Sequence, residues 1–191
     1  MATQLDICNM ALSNIGCLQI QSLTDESESA RLLLLNWDRC LESVLREFPW
    51  NFATQVKYLN ETEDAPPDYR YAYAYPADCL KIQTVGPSTK IPFPYEVRSN
   101  GTDKIIVTNA DNAVCKYTTK IKDTTIFDPA FVEALAYKLS YEINNAKTGN
   151  AQQTSEMQER YRETLNAAYH SQAVEGRKMN IYPDKYLRVR R

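Results

Sequence analysis

The sequence predicts an α+β protein, in which a bundle of about four helices from both ends of the chain lies beside an antiparallel β-sheet of five or six strands. Two patterns predict this class. Apolar residues recur every three or four positions near both ends, which is the spacing of amphipathic helices. The middle of the chain alternates polar and apolar residues between turn-forming segments, as strands do. A chain of 191 residues, 43% of them hydrophobic, is long enough to bury such a core.

Residues 1–49 are predicted to form the first two helices. Thr3 and Asp6 have the spacing of a capping pair for a helix that runs to about Asn14, and Gly16 closes this helix. The second helix carries a wide apolar stripe and ends before a proline, because the residue before proline disfavours helical dihedral angles. The stripe consists of Ala30, Leu33, Leu34, Trp37, Leu41, Val44, Leu45 and Phe48.

Residues 50–125 are predicted to form the antiparallel β region. The sequence Asn-Gly-Thr-Asp at 100–103 favours a hairpin turn, since Asn-Gly tolerates positive φ angles. We expect the strand after this turn to form a second hairpin with the last strand of the region. The predicted strands cover residues 50–59, 71–75, 79–85, 95–99, 104–108 and 113–121.

Tyr71, Tyr73 and Tyr75 lie on one face of a predicted strand. A tyrosine ring combines a flat apolar surface with a polar tip, so this face is suited to binding a sugar or a protein. The simpler interpretation is a half-buried strand face under a helix, because aromatic residues are common in strands. The sequence favours the second interpretation and leaves the first open.

Residues 126–173 are predicted to form the last two helices. Asp128 and Pro129 open the third helix as cap and first-turn proline, and Gly149 with Asn150 separates it from the fourth. Residues 174–191 show no periodicity and are predicted to form an extended basic arm. Six basic residues against two acids give this arm a net charge of about +4, while the rest of the chain carries about −6.

The sequence contains few signals of catalysis, and we expect no catalytic residue, cofactor or metal. Five glycines without phosphate-loop spacing exclude the common nucleotide-binding loops, and one histidine excludes a histidine-rich metal site. His170 is predicted to be a surface or interface residue. Two acidic clusters, Asp25-Glu26-Glu28 and Glu61-Glu63-Asp64, have the residue types of a glycosidase pair, but acids are also common in loops and at helix starts.

Three further features of the sequence bear on the cell compartment in which the protein is made. Five cysteines without a Cys-x-x-Cys pair predict reduced thiols in a protein made in a cytoplasm. No apolar run approaches the roughly 20 residues of a membrane span, so we expect no membrane anchor. Residues 1–6 lack the basic and apolar regions of a secretory signal.

Five ordered stretches carry a resemblance to a known family. They read CNMALSNIG at 8–16, RCLESVLREFPWNFA at 39–53, YAYPADCL at 73–80, ALAYKL at 134–139 and YRETLNAA at 161–168. The Pro-Trp-Asn-Phe-Ala element at 49–53 is the most specific of them. On these stretches, from about residue 5 to 176, the chain resembles the tail tubular protein A family, the head-to-tail adaptors of short-tailed bacteriophages (podoviruses).

This resemblance implies a structural protein of the virion tail, synthesised in the bacterial host cytoplasm. The family forms a dodecameric ring between the portal protein and the tail nozzle, a tail tubular protein B-like partner, and DNA passes through its lumen as cargo. We interpret the basic arm as the portal-docking segment, which folds on binding. The residues expected to dock are Arg177, Lys178, Tyr182, Lys185, Tyr186, Leu187, Arg188, Arg190 and Arg191.

Two alternatives remain open from the sequence. The first is an adaptor with an additional cell-wall or polysaccharide hydrolase activity, which would use the acidic clusters. The second is a generic protein-binding module that binds no portal. The Pro-Trp-Asn-Phe-Ala element is interpreted as structural in each case, with Trp50 and Phe52 alternating onto the core side of the first strand.

Overall fold

A computed structural model describes residues 2–63 and 65–175 of the chain. The predicted α+β class is confirmed, and within the described residues the structure has four helices and seven strands, slightly more strands than predicted. The helices are α1 (Gln4–Asn14), α2 (Glu28–Glu47), α3 (Pro129–Lys147) and α4 (Ala151–Glu175). The strands are β1 (Thr54–Tyr58), β2 (Glu61–Thr62), β3 (Tyr71–Ala74), β4 (Cys79–Gly86), β5 (Tyr95–Ser99), β6 (Lys104–Thr108) and β7 (Val114–Thr119).

Side-chain caps define the starts of three helices. The Thr3 hydroxyl accepts from the backbone N–H of Asp6 at 3.2 Å, and the Asp6 carboxylate accepts from the backbone N–H of Thr3 at 2.8 Å. Ser27 caps α2 by accepting from Ala30, and Asp128 caps α3 in the same way. The predicted capping pair and the predicted cap of the third helix are therefore confirmed.

The helical bundle is built around α3, which packs against α1, α2 and α4. Leu33, Leu41, Leu135 and other side chains of this core are fully buried. The Ser140 hydroxyl, also buried, lies 3.1 Å from the carbonyl oxygen of Ala11 and satisfies a polar group between α1 and α3. Helices from both ends of the chain thus form one bundle.

The β region contains two antiparallel sheets instead of one. The first has the strand order β1-β7-β4 and the second has the order β2-β3-β6-β5. Tyr117, Cys115 and Val85 of the first sheet share a buried cluster with Tyr73 and Ile106 of the second. The sheets therefore face each other over a small core.

The expected hairpin between β6 and β7 is wrong. β6 pairs with β3 and β5, whereas β7 pairs with β1 and β4. In the link between them Asn112 has a positive φ of 48°, and Ala110 and Ala113 are buried. The Tyr73 hydroxyl donates to the Ala110 carbonyl at 2.8 Å and holds the link between the sheets. The link therefore carries the chain from one sheet to the other.

Two further expectations need correction. The strand predicted over residues 50–59 begins only at Thr54, because Asn51–Ala53 forms a 3-10 turn that directs both Trp50 and Phe52 into the helical core. Residues 174 and 175, predicted as the start of the extended arm, belong instead to α4. Residues 176–191 lie outside the described residues.

Candidate functional site

The residues predicted to dock onto a portal lie outside the described residues. They are Arg177, Lys178, Tyr182, Lys185, Tyr186, Leu187, Arg188, Arg190 and Arg191. The described part of the chain before them is α4, which extends to Glu175. The candidate site must therefore be built from the surfaces of the bundle and of the two sheets.

The first acidic cluster has structural partners. The Asp25 carboxylate accepts from the backbone N–H groups of Gln21 and Ser22, both at 3.0 Å, and so holds the turn before α2. Glu28 lies 3.0 Å from the ammonium group of Lys147 and ties α2 to α3. These contacts give both acids a role in the fold.

The other candidates for catalysis are scattered. Glu61 belongs to the short strand β2, Glu63 follows it, and Asp64 lies outside the described residues. His170 is exposed on α4, with its ring 5.8 Å from that of Tyr169. The described residues contain no group of three or more His, Cys, Asp or Glu that could hold a metal ion.

The tyrosine face predicted on the third strand is a half-buried strand face. Tyr73 is 1% exposed, and Tyr71 and Tyr75 are partly buried around it. The rings of Tyr71 and Tyr73 lie 6.3 Å apart. The face packs toward the other sheet. The prediction of a half-buried strand face is therefore confirmed, and the prediction that a helix covers it is wrong.

An aromatic junction in the helical core is formed by Trp50, Phe52, Phe127 and Phe131, at the two points where the chain passes between the bundle and the β region. Trp50 is fully buried, its ring lies 5.0 Å from that of Phe131, and its indole N–H donates to the Val44 carbonyl at 3.0 Å. Phe52 and Phe127 close around the same Phe131 ring at 5.1 and 4.7 Å. Edge-to-face packing of this kind makes the element at 49–53 structural, as predicted.

A polar network between α2, α3 and α4 was not predicted from the sequence. The Lys138 ammonium group contacts the Tyr141 hydroxyl, lies 3.5 Å from Glu142, and sits 5.7 Å from the Tyr161 ring centroid. Tyr161 donates to Glu47 at 2.6 Å. One helix carries Lys138, Tyr141 and Glu142 at positions i, i+3 and i+4. This spacing places the three side chains close together and was the sequence signal that could have predicted the network.

The charge state of Lys138 argues against a nucleophilic role for this network. Burial lowers the pKa of Lys138, but the Tyr141 hydroxyl and the Glu142 carboxylate outweigh burial and raise it above its ordinary value. Burial, followed by the hydrogen bond to Glu47, raises the pKa of the Tyr161 hydroxyl. The lysine stays protonated and the tyrosine stays neutral at neutral pH, so neither side chain is in its nucleophilic form.

The buried thiols are equally unsuited to nucleophilic chemistry. All five cysteines are free, and Cys8, Cys40 and Cys115 are buried. Burial raises the pKa of Cys8 and of Cys115 to about 12, and that of Cys40 to about 11. A thiol of this kind is almost wholly protonated at neutral pH, and the thiolate is the reactive form.

Among the exposed apolar side chains are two neighbouring pairs, one on each half of the molecule. On the outer side of α2, Leu34 and Leu35 are 49% and 77% exposed, although Leu34 was predicted in the buried stripe. On β1, Val56 and Tyr58 are 53% and 79% exposed. β1 is also an edge strand, paired with β7 alone within the described residues. We name these the α2 surface and the β1 surface.

Comparisons with known proteins do not assign the chain to a family. No family model matches the sequence, and no curated protein matches it. No helix within the described residues has the length and apolar character needed to cross a membrane. The exposed α2 and β1 surfaces and the charge distribution are the features of the chain that bear on its function.

Proposed function

We propose that this chain is a structural head-to-tail adaptor subunit of a short-tailed bacteriophage, which forms a ring between the portal protein and the tail nozzle. The observation that carries the proposal is the pair of unlike apolar surfaces on the two halves of one subunit. A two-fold dimer uses one surface twice, whereas a ring repeats a contact between two different surfaces. The α2 surface of one subunit and the β1 surface of the next supply such a contact.

The β1 surface has the chemistry of a protein contact. An edge strand with exposed Val56 and Tyr58 offers unpaired backbone groups together with apolar side chains. By contrast, the β4 edge of the same sheet is covered, since the Phe93 N–H donates to the Val85 carbonyl at 2.8 Å. One edge of the sheet is thus protected within the subunit and the other is left to a neighbour.

The charge distribution supports a ring around DNA. The helical parts, residues 1–49 and 126–175, contain fourteen acids against seven bases, while residues 50–125 contain nine of each. Duplex DNA binds tightly where lysine and arginine neutralise its phosphates. An acidic body lets DNA pass through the lumen without being retained, which fits DNA as cargo and not as a ligand.

The remaining partners follow from the same proposal. The basic arm predicted from residue 174 docks onto the portal, and the opposite end of the ring meets the nozzle. The protein then belongs to the virion tail. The hydrolase alternative gains no support from the acids at positions 25 and 28, because both have structural partners.

Sedimentation with the portal protein encoded beside this chain tests the proposal. We expect the full chain to form a large ring complex and a chain truncated after Ala173 to form none. No complex from either form would contradict the adaptor function. A complex from both forms would retain the adaptor and reject the arm as its docking segment.

The unlike surfaces can be tested by mixing two variants. Leu35→Glu damages only the α2 surface and Tyr58→Glu only the β1 surface, so neither variant alone forms a ring on the portal. A mixture retains one intact contact, between the α2 surface of the Tyr58→Glu chain and the β1 surface of the Leu35→Glu chain. We expect pairs of subunits in the mixture and no closed rings. Rings formed by either variant alone would reject these surfaces.

A further inference from the structure

Three neighbouring depressions lie on the surface of the helical bundle along α1, α3 and α4. A depression of about 480 Å³ lies between α1 and α3, another of about 400 Å³ lies between α3 and α4, and a third of about 380 Å³ borders α1. Glu133 lines the first and the second, while Met10 and Asn14 line the first and the third. Neighbouring depressions thus share lining residues, and we call the three together the bundle groove.

The bundle groove combines apolar walls with negative charge. Met10 is 40% exposed, and Val132 lines the wall beside it. The charged side chains that line it are Asp6, Glu133 and Glu163, and no lysine or arginine lines it within the described residues. A segment that presents apolar side chains together with positive charges matches these walls.

The chain itself contains such a segment, in residues 176–191. This segment has six basic residues and one acid, a net charge of +5, and its apolar residues include Ile181, Tyr182, Tyr186 and Leu187. It follows directly on α4, whose Ser171 lines the depression between α3 and α4, one helical turn before Glu175. Sixteen residues span up to about 55 Å when extended, so the segment reaches the whole groove.

We propose that residues 176–191 bind in the bundle groove of their own subunit. The helical parts carry a net charge of −7, opposite in sign to that of the segment. The covalent connection at Glu175 raises the effective concentration of the segment to the millimolar range, so a weak site is occupied. This binding does not depend on the adaptor function. If the chain is also an adaptor, the bundle groove and the portal compete for residues 176–191. In a free subunit these residues then bind the groove until the portal displaces them.

Photo-cross-linking within the full-length chain tests the proposal without any portal. Tyr186→p-benzoylphenylalanine places a photoreactive ring in the segment, and irradiation at low protein concentration joins it to the nearest C–H bond. We expect products within one chain, mapped by mass spectrometry to residues 2–14, 127–137 or 163–171. Glu133→Lys should lower the yield by about fivefold, because it replaces one attraction with one repulsion.

A matched charge reversal and a salt titration make the test specific. Glu133 and Glu159 are both exposed acids of the bundle, but Glu159 lies outside the groove, so Glu159→Lys should leave the yield unchanged. Raising the salt concentration should lower the yield in the unmodified chain. Cross-links between chains would assign the segment to a second copy. Cross-links elsewhere, none at all, or equal effects of the two reversals would overturn the proposal.

Discussion

The helical half and the β half of this protein are stabilised in different ways. In the helical half, one cluster of buried side chains draws on all four helices. In the β half the buried residues divide into two smaller clusters, of which Ala72, Ile105 and Val107 form one under Tyr69. Because stability follows the amount of apolar surface removed from water, the helical half should be the harder to open.

The two halves meet at a small number of contacts. Leu80 of β4 packs against the helical core, in which the aromatic junction at Trp50 also lies. Beside it, the Arg46 guanidinium donates to the Leu80 carbonyl at 2.9 Å, and Lys120 pairs with Glu42. Exposed ion pairs contribute little, so apolar packing such as that of Leu80 contributes more to the contact between the halves.

Loss of the junction should have the largest effect. Trp50→Ala removes a fully buried ring and leaves a cavity against Phe131, so we expect a loss of about 3–5 kcal/mol in the free energy of unfolding. Urea denaturation followed by circular dichroism measures this loss. Tyr58→Ala, at a ring that is 79% exposed, is the control and should change stability by less than about 0.5 kcal/mol. Equal effects would contradict the role of the junction.

The next effect concerns the β half alone. Tyr73→Phe removes the hydroxyl that donates to the Ala110 carbonyl at 2.8 Å and lies 3.4 Å from the backbone nitrogen of Ala113. Both backbone groups are buried, so we expect a loss of about 1–3 kcal/mol. The same denaturation measurement applies, with Tyr71→Phe on the same strand face as the control. A neutral Tyr73→Phe would mean that the link between the sheets needs no side-chain support.

The two halves also differ in how much of their structure the sequence could predict. Helix ends depend on neighbours within a few residues, and the caps at Thr3 and Asp128 are visible in the sequence. Strand pairing depends on residues far apart, and no local pattern shows that Tyr73 will bind the link at Ala110 and so divide the strands between two sheets. The sequence analysis missed the 3-10 turn at Asn51–Ala53 because the alternation of polar and apolar residues in this stretch also fits a strand.

The candidate sites also combine features that depend on nearby residues with features that depend on residues far apart in the chain. The apolar and basic character of residues 176–191 is visible in the sequence, but the groove that complements it is not, because its walls come from three helices. The exposure of Leu35 was foreseeable, since it lies outside the apolar stripe of its helix. The exposure of Val56 depends on which edge of the sheet is covered, and only the fold determines that.

Thiol labelling can compare the two halves within one molecule. Cys40 in the bundle and Cys115 in the first sheet are both at most 1% exposed and react only when their surroundings open. We expect Cys115 to react about tenfold faster than Cys40, a difference of about 1.4 kcal/mol in local opening. Labelling in native buffer, followed by mass spectrometry of the peptides, measures both rates. Equal rates would mean that the halves open together.

The smallest expected effect is electrostatic and lies in the β half. Burial raises the pKa of Asp78, but hydrogen bonds from Thr119, Tyr117 and Lys57 outweigh burial and hold the pKa below its ordinary value of 3.8. The carboxylate therefore stabilises the fold above about pH 4, and this contribution is lost as the pH falls through the lower pKa of the folded state. Asp78→Asn should cost less than about 1 kcal/mol at neutral pH, since the side chain is 38% exposed.

The pH dependence separates this effect of Asp78 from a simple loss of hydrogen bonds. In the unmodified chain the melting temperature should fall below pH 4, and Asp78→Asn should make this fall shallower, because the group that binds the proton is gone. Asp111→Asn replaces an exposed carboxylate in the same half and should leave the fall unchanged. Thermal melts between pH 2 and pH 7 measure all three chains. If Asp78→Asn and the unmodified chain melted in parallel across this range, the acid-sensitive contact of the β half would lie at another carboxylate.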